Sequence, residues 1–213
     1  MYEDFYKQLE QLAIVPVVVL EKVEDAVPMA DALAAAGMNS AEVTFRTACA
    51  AEAIKAMHAA RPEMAVGAGT VLSVEQVDEA AAAGASFIVS PGFDADVVRR
   101  CIELKLPALP GTVTPTEVTA AEKLGLKVTK FFPAAQYGGL STIKALCAPF
   151  VGHRFMPTGG VNLKNVEEYL ASPAIVACGG TWMVKPSLFS DGDFSKVTEV
   201  AKEAMEIVHK VRG

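Results

Sequence analysis

A lysine stands among β-branched and aromatic residues in Val128-Thr129-Lys130-Phe131-Phe132-Pro133, a run that reads as a strand bound for the interior. An ammonium group is almost never fully buried without a partner, so Lys130 is either a group that snorkels to water or a working residue. Lys127, at the start of the same run, already fits the exposed role. Desolvation disfavours the ammonium form of a lysine, and an accessible neutral amine is what carbonyl chemistry through a Schiff base requires.

Two further patterns carry chemistry. In Ala41-Glu42-Val43-Thr44-Phe45-Arg46-Thr47 the period of a strand puts Glu42, Thr44 and Arg46 on one face and Val43 and Phe45 on the other. A carboxylate there can move protons, and a guanidinium can grip a carboxylate. An internal Glu42–Arg46 ion pair, or Arg46 standing in solvent, satisfies the same pattern. Pro157-Thr158-Gly159-Gly160-Val161 and Ala177-Cys178-Gly179-Gly180-Thr181 each end a β-rich run in a glycine pair beside a threonine. Small residues let backbone N–H groups approach an anion, although a single Gly-Gly usually marks only a tight turn. Gly67-Ala68-Gly69-Thr70 adds another small-residue strand end with a hydroxyl.

The elements that must position these groups alternate. Strand candidates begin at Ile14, Ser40, Ala65, Ala85, Pro107, Lys127, Arg154 and Ile175, separated by alanine-rich amphipathic runs. Ser73-x-x-Gln76 and Thr114-x-x-Glu117 read as capping boxes, the second with Pro115 at the first helical position. Gly37, Gly84 and Gly125 mark helix ends. An extra helix over about Tyr2 to Leu12 precedes the first strand, and a long one from Phe194 to Val211 closes the chain. Eight strand–helix units without a linker predict one (β/α)8 TIM barrel domain over residues 1–213, with an extra N-terminal helix. A doubly wound sheet is the alternative, but the first βα turn lacks the G-x-G-x-x-G fingerprint of dinucleotide folds. In a barrel the reactive groups belong at the C-terminal strand ends, where all the residues above fall, with the phosphate site commonly after strands seven and eight.

Composition narrows the partners. The formal charge of −6 argues against a broad nucleic-acid or anionic-membrane surface, so an anionic small molecule needs a locally positive pocket. The apolar run near the N-terminus is too short to span a bilayer and lacks a basic flank. Cys49, Cys101, Cys147 and Cys178 read as buried thiols in a reducing, cytoplasmic protein, and neither they nor the three histidines have metal-ligand spacing. No metal or cofactor is expected. Together the groups indicate metal-free carbon–carbon cleavage through a lysine imine. A phosphate-binding isomerase or epimerase using Glu42, and a non-catalytic sugar-phosphate sensor, are the competing readings.

The segments "EVTFRT", "VGAGTVL", "SPG", "LPG", "KFFPA", "PTGGV" and "CGGTW" occur in an order and spacing that resemble the 2-keto-3-deoxy-6-phosphogluconate aldolases, which often also act on 4-hydroxy-2-oxoglutarate. The resemblance implies a homotrimeric class I aldolase that releases pyruvate and glyceraldehyde 3-phosphate. It makes Lys130 the Schiff-base lysine and Glu42 the general acid/base, partly through a bound water. It gives the pyruvyl carboxylate to Arg46 and Thr70, and the pocket walls to Pro91 and Phe132. Thr158, Gly159, Gly160, Gly179, Gly180 and Thr181 would line the phosphate end. The chain departs from relatives at Thr181, where many have serine, and at Ala135 and Tyr137. Lys22 stands near the end of the first strand, where some relatives have arginine. Arg46 and Thr158 resemble the phosphogluconate enzymes more than the phosphogalactonate aldolases.

Overall fold

Each β-rich run becomes a strand and each alanine-rich run a helix in the computed structural model, which describes residues 1–213. The order is α1 (Glu3–Leu12), β1 (Ile14–Val18), α2 (Ala26–Ala35), β2 (Ser40–Thr44), α3 (Ala50–Ala60), β3 (Ala65–Gly69), α4 (Val74–Ala82), β4 (Ile88–Val89), α5 (Ala95–Glu103) and β5 (Ala108–Leu109). It continues with α6 (Pro115–Lys123), β6 (Val128–Phe131), α7 (Gly139–Cys147), β7 (Arg154–Pro157), α8 (Val166–Leu170), β8 (Cys178–Gly180) and α9 (Ser195–Arg212).

All pairings between strands are parallel. Six strands form one sheet in the order β5-β4-β3-β2-β1-β8, and β6 pairs with β7. Single bridges link the two: Gly111 to Lys130 beside β5, and Phe155 to Ile175 and Thr158 to Gly179 beside β8. The result is an α/β fold whose parallel strands curl around an interior. Every residue of β1, β2 and β3 is buried, as expected for parallel strands covered on both faces.

The period of two sorts the side chains. Val15, Phe87, Val89, Leu109, Val128, Met156 and Val176 form an inner cluster that Phe5, Tyr6 and Leu9 of α1 close from below, with the Phe5 and Phe87 rings 5.4 Å apart. The other face packs against the helices in a larger cluster that includes Val18, Val43, Phe131 and Phe155. On that outer side of β6 a polar network runs from the buried Thr112, Thr129 and His153 to the half-buried Glu122. Thr112 and Thr129 hydroxyls lie 2.7 Å apart, Thr129 Oγ1 is 2.9 Å from His153 Nε2, and His153 Nδ1 is 2.9 Å from Glu122 Oε1. A neutral ring with its proton on Nδ1 satisfies all three contacts, and burial holds His153 below the ordinary imidazole range.

Local signals act as read at most helix ends. Thr114 and Glu117 form a reciprocal capping box. Ser73 caps Gln76 N–H, but the Gln76 side chain accepts from Leu72 N–H instead of returning to Ser73, so only half of that box forms. Gly37, Gly84 and Gly125 take φ of +81°, +88° and +83°, conformations that favour glycine. The four thiols are unpaired, but Cys49 and Cys147 are half-buried, which corrects the expectation of four buried cysteines. Burial pushes the Cys101 and Cys178 thiols up to about 12. No helix is long and apolar enough to cross a membrane.

Candidate active site

Lys130 and Glu42 meet inside the curled strands. Lys130, on β6, is 5% exposed and Glu42, on β2, is fully buried. Lys130 Nζ donates to Glu42 Oε1 at 3.1 Å across a sequence separation of 88 residues. The amine therefore has a carboxylate partner within its apolar surroundings. Its Nζ also lies 5.3 Å from the centre of the Phe132 ring. Glu42 reaches this position because β3 offers no side chain at Gly69: a Cβ there would overlap the Glu42 carboxyl group. Glu42 Oε2 and Thr158 Oγ1 are buried and have no hydrogen-bond partner within the chain.

Arg46 stands just beyond the end of β2, exposed, and its Nε donates to Thr70 Oγ1 at 3.2 Å. No carboxylate pairs with Arg46, so the alternative of a Glu42–Arg46 ion pair is not what forms. Thr70 holds this place with φ of +57°, a genuine outlier for a β-branched residue. Arg46, Lys130, Phe132, Thr158, Gly159, Gly160, Gly180 and Thr181 line one cavity of about 220 Å³, together with Val17 and Val161.

The far end of this cavity is built from backbone. The N–H groups of Gly159, Gly160, Val161 and Thr181 donate to no acceptor within the chain. Four unpartnered donors around a cavity are suited to an anion. The segment after β6 is fastened against this turn, with Ala134 N–H donating to Thr158 O at 2.8 Å and Ala135 N–H to Gly159 O at 3.0 Å. The Ala135 methyl occupies the space that a Cβ on Gly160 would need.

A family model described as "KDPG and KHG aldolase" matches residues 6–200. The chain belongs to this family. A 2-dehydro-3-deoxy-phosphogluconate aldolase of Treponema pallidum is 48% identical over 203 residues, covering 95% of this chain and 97% of its own. The crystal structure of the 2-keto-3-deoxy-6-phosphogluconate aldolase of Zymomonas mobilis with 3-phosphoglycerate superposes with a TM-score of 0.87 at 42% identity, covering 96% of this chain and 95% of that one. A Legionella pneumophila KDPG aldolase, with pyruvate captured as a covalent carbinolamine, has a TM-score of 0.87 at 36% identity, covering 92% of this chain and 97% of its own.

In this KDPG/KHG aldolase family member the cavity gathers Lys130, Arg46, Phe132, Thr158, Gly159, Gly160, Gly180 and Thr181 of the residues read from sequence. Glu42 joins them through Lys130, and Thr70 through Arg46. Pro91 and Gly179 do not line the cavity: Gly179 lies in β8 against Thr158, and the Pro91 carbonyl packs on Gly111. Lys22 is exposed and borders a separate groove with Asp25 and Asp191. Sequence reasoning missed Val17 and Val161, plain apolar residues with no signal of their own. A larger concavity, about 660 Å³ between α1, α8 and α9, is elsewhere. Its half-buried charge, Arg212, is spent on the carbonyls of Glu10, Leu170, Ile175 and Val176.

Proposed function

We propose that the chain is a class I aldolase that cleaves 2-dehydro-3-deoxy-6-phosphogluconate to pyruvate and glyceraldehyde 3-phosphate, with 4-hydroxy-2-oxoglutarate as a second substrate. The observation that carries this reading is the Lys130 Nζ–Glu42 Oε1 contact of 3.1 Å beside a cavity whose other end is lined by unpartnered N–H groups. Lys130 attacks the C2 carbonyl, Glu42 takes and returns protons, and water leaves as the imine forms. Glu42, in part through a water, then accepts the C4 hydroxyl proton. The C3–C4 bond breaks, its electrons pass to the imine nitrogen, and glyceraldehyde 3-phosphate departs. Protonation of the enamine at C3 and hydrolysis of the imine release pyruvate and free Lys130. The carbinolamine of pyruvate in the Legionella relative supports this sequence.

Arg46 holds the pyruvyl carboxylate. Its Nε is committed to Thr70, which turns the two terminal nitrogens outward for parallel hydrogen bonds to the carboxylate. Phe132 forms a wall. The N–H groups of Gly159, Gly160, Val161 and Thr181, with the Thr158 and Thr181 hydroxyls, take the phosphate, and Gly179 and Gly180 supply clearance behind them. The bridges beside β5 and β8, and the inner cluster closed by α1, support a single-domain (β/α)8 barrel with an extra N-terminal helix. The resemblance implies a homotrimer, and the thiols and the N-terminal run support a cytoplasmic protein.

The test is kcat/KM for the phosphogluconate-derived, phosphogalactonate-derived and hydroxyoxoglutarate substrates, read as pyruvate release. The first is expected to lead. Preference for the galactonate epimer would overturn the substrate, and no pyruvate from any of the three would overturn the aldolase.

Thr70 offers a second check. Its left-handed backbone costs about 1–3 kcal/mol, which glycine would relieve at an entropic cost of about 0.5–1 kcal/mol. Thr70→Gly is therefore expected to melt no lower than the parent. Loss of the hydroxyl that orients Arg46 should raise KM about 3- to 10-fold, as for one hydrogen bond to a charged group near the surface. A lower melting temperature with unchanged KM would remove Thr70 from substrate binding.

A further inference from the structure

Asn165 occupies the N-cap position of α8 yet makes no side-chain bond to that helix. Its carboxamide turns back instead. Oδ1 accepts from Asn162 N–H at 2.8 Å and Nδ2 donates to the Gly160 carbonyl at 2.9 Å. Asn162 Nδ2 donates to the same carbonyl at 3.0 Å, while its Oδ1 accepts from Lys164 N–H at 2.9 Å. Both acceptor sites of one carbonyl, in a glycine-pair turn, are thus filled by two side-chain amides.

We propose that Asn165 and Asn162 are positioning residues that set the phosphate subsite by locking the Gly160–Val161 peptide. The inference rests on the reading of this end of the cavity as the phosphate site. A trans peptide is planar, with its C=O and N–H directed oppositely. Fixing the Gly160 carbonyl on the asparagines therefore fixes the Val161 N–H on the other side, and that N–H has no acceptor within the chain. Val161 lines the cavity, whereas neither asparagine does, so the pair acts only through the peptide. The lock is needed because two glycines precede it, Gly159 and Gly160, at φ of +91° and +84°. Glycine rotates through such conformations at little steric cost, so an unheld peptide at this place would populate other orientations and lose its donor. Holding it in advance removes that ordering from the binding step.

The experiment measures Asn165→Ala, Asn162→Ala and the double variant against the parent. Three readouts are compared: steady-state cleavage of the phosphorylated substrate, competitive inhibition by inorganic phosphate, and the rate of borohydride trapping of pyruvate, which carries no phosphate. Asn165→Ala is expected to raise KM and the phosphate inhibition constant about 10-fold, the equivalent of one hydrogen bond to a charged group. The double variant should lose more, while kcat and the pyruvate trapping rate stay within about twofold, inside the error of one weak contact. Equal losses in trapping and in phosphate binding would show a merely structural role and overturn the proposal. Unchanged phosphate binding in the double variant would overturn it too, while leaving the aldolase reading intact. A parent protein that traps pyruvate but cleaves no phosphorylated substrate would instead overturn the phosphate site itself, and this inference with it.

Discussion

Lys130→Met is expected to abolish the reduced pyruvyl adduct and to lower kcat by at least about 10⁴-fold, the scale of removing a covalent nucleophile. The same change should also destabilise the fold, and the structure says why. Glu42 is fully buried, its Oε1 has Lys130 as partner, and its Oε2 has none within the chain. Without the lysine the carboxylate is left alone in the interior, a loss that typically costs about 3–5 kcal/mol. Pairing the change with Glu42→Gln removes the stranded charge, so the double variant should regain most of that stability while remaining inactive. Urea melts of the two single variants and the double variant, beside mass spectrometry of borohydride-trapped protein, separate the two effects. An adduct that persists in Lys130→Met would move the nucleophile elsewhere. A double variant as unstable as the single would show that the pair does not couple.

The alternation of side chains along β6 was enough to put Lys130 on one face with Val128 and Phe132, because the period of a strand is fixed by backbone geometry. Arg46, Thr158 and Gly160 stand just past strand ends as read, whereas Glu42 lies at the middle of β2. Glu42 was readable as a plausible neighbour of Lys130, but their direct hydrogen bond was not legible. Lys130 and Glu42 are 88 residues apart, and their contact depends on how far the strands curl and on the missing side chain at Gly69. The Thr112–Thr129–His153–Glu122 network was equally hidden, since each member is an ordinary residue until tertiary packing buries it. Thr70 carries no sign in the sequence of its left-handed backbone, and nothing in the sequence singles out Asn165, whose amide turns away from the helix it precedes. β4 and β5 pair over only two residues each, less than their β-rich runs suggest. Their flanks include Pro91, Pro107 and Pro110, and proline donates no ladder hydrogen bond.

Glu42→Gln should slow cleavage about 10²- to 10⁴-fold, the usual worth of general acid–base catalysis, while leaving the pyruvate imine trappable at Lys130. The substitution isolates proton transfer because it preserves shape. Glutamine places an oxygen where Oε1 now accepts from Lys130 Nζ, and it asks for no more room beside Gly69 than glutamate does. What it removes is an atom that can take a proton from the C4 hydroxyl and give one back at C3. Both halves of the cycle must suffer if a single carboxylate serves both. Exchange of the pyruvate methyl protons with D₂O, which needs only the imine–enamine step, should therefore slow along with cleavage. Slow cleavage with unimpaired methyl exchange would assign Glu42 to the C4 hydroxyl alone and require a second base at C3. Unchanged turnover would take Glu42 out of the chemistry and leave its contact with Lys130 a structural ion pair. The site favours one base for both steps: Arg46 and Lys130 are the only charged side chains that line the cavity, each already has its task, and Glu42 is the carboxylate that touches Lys130.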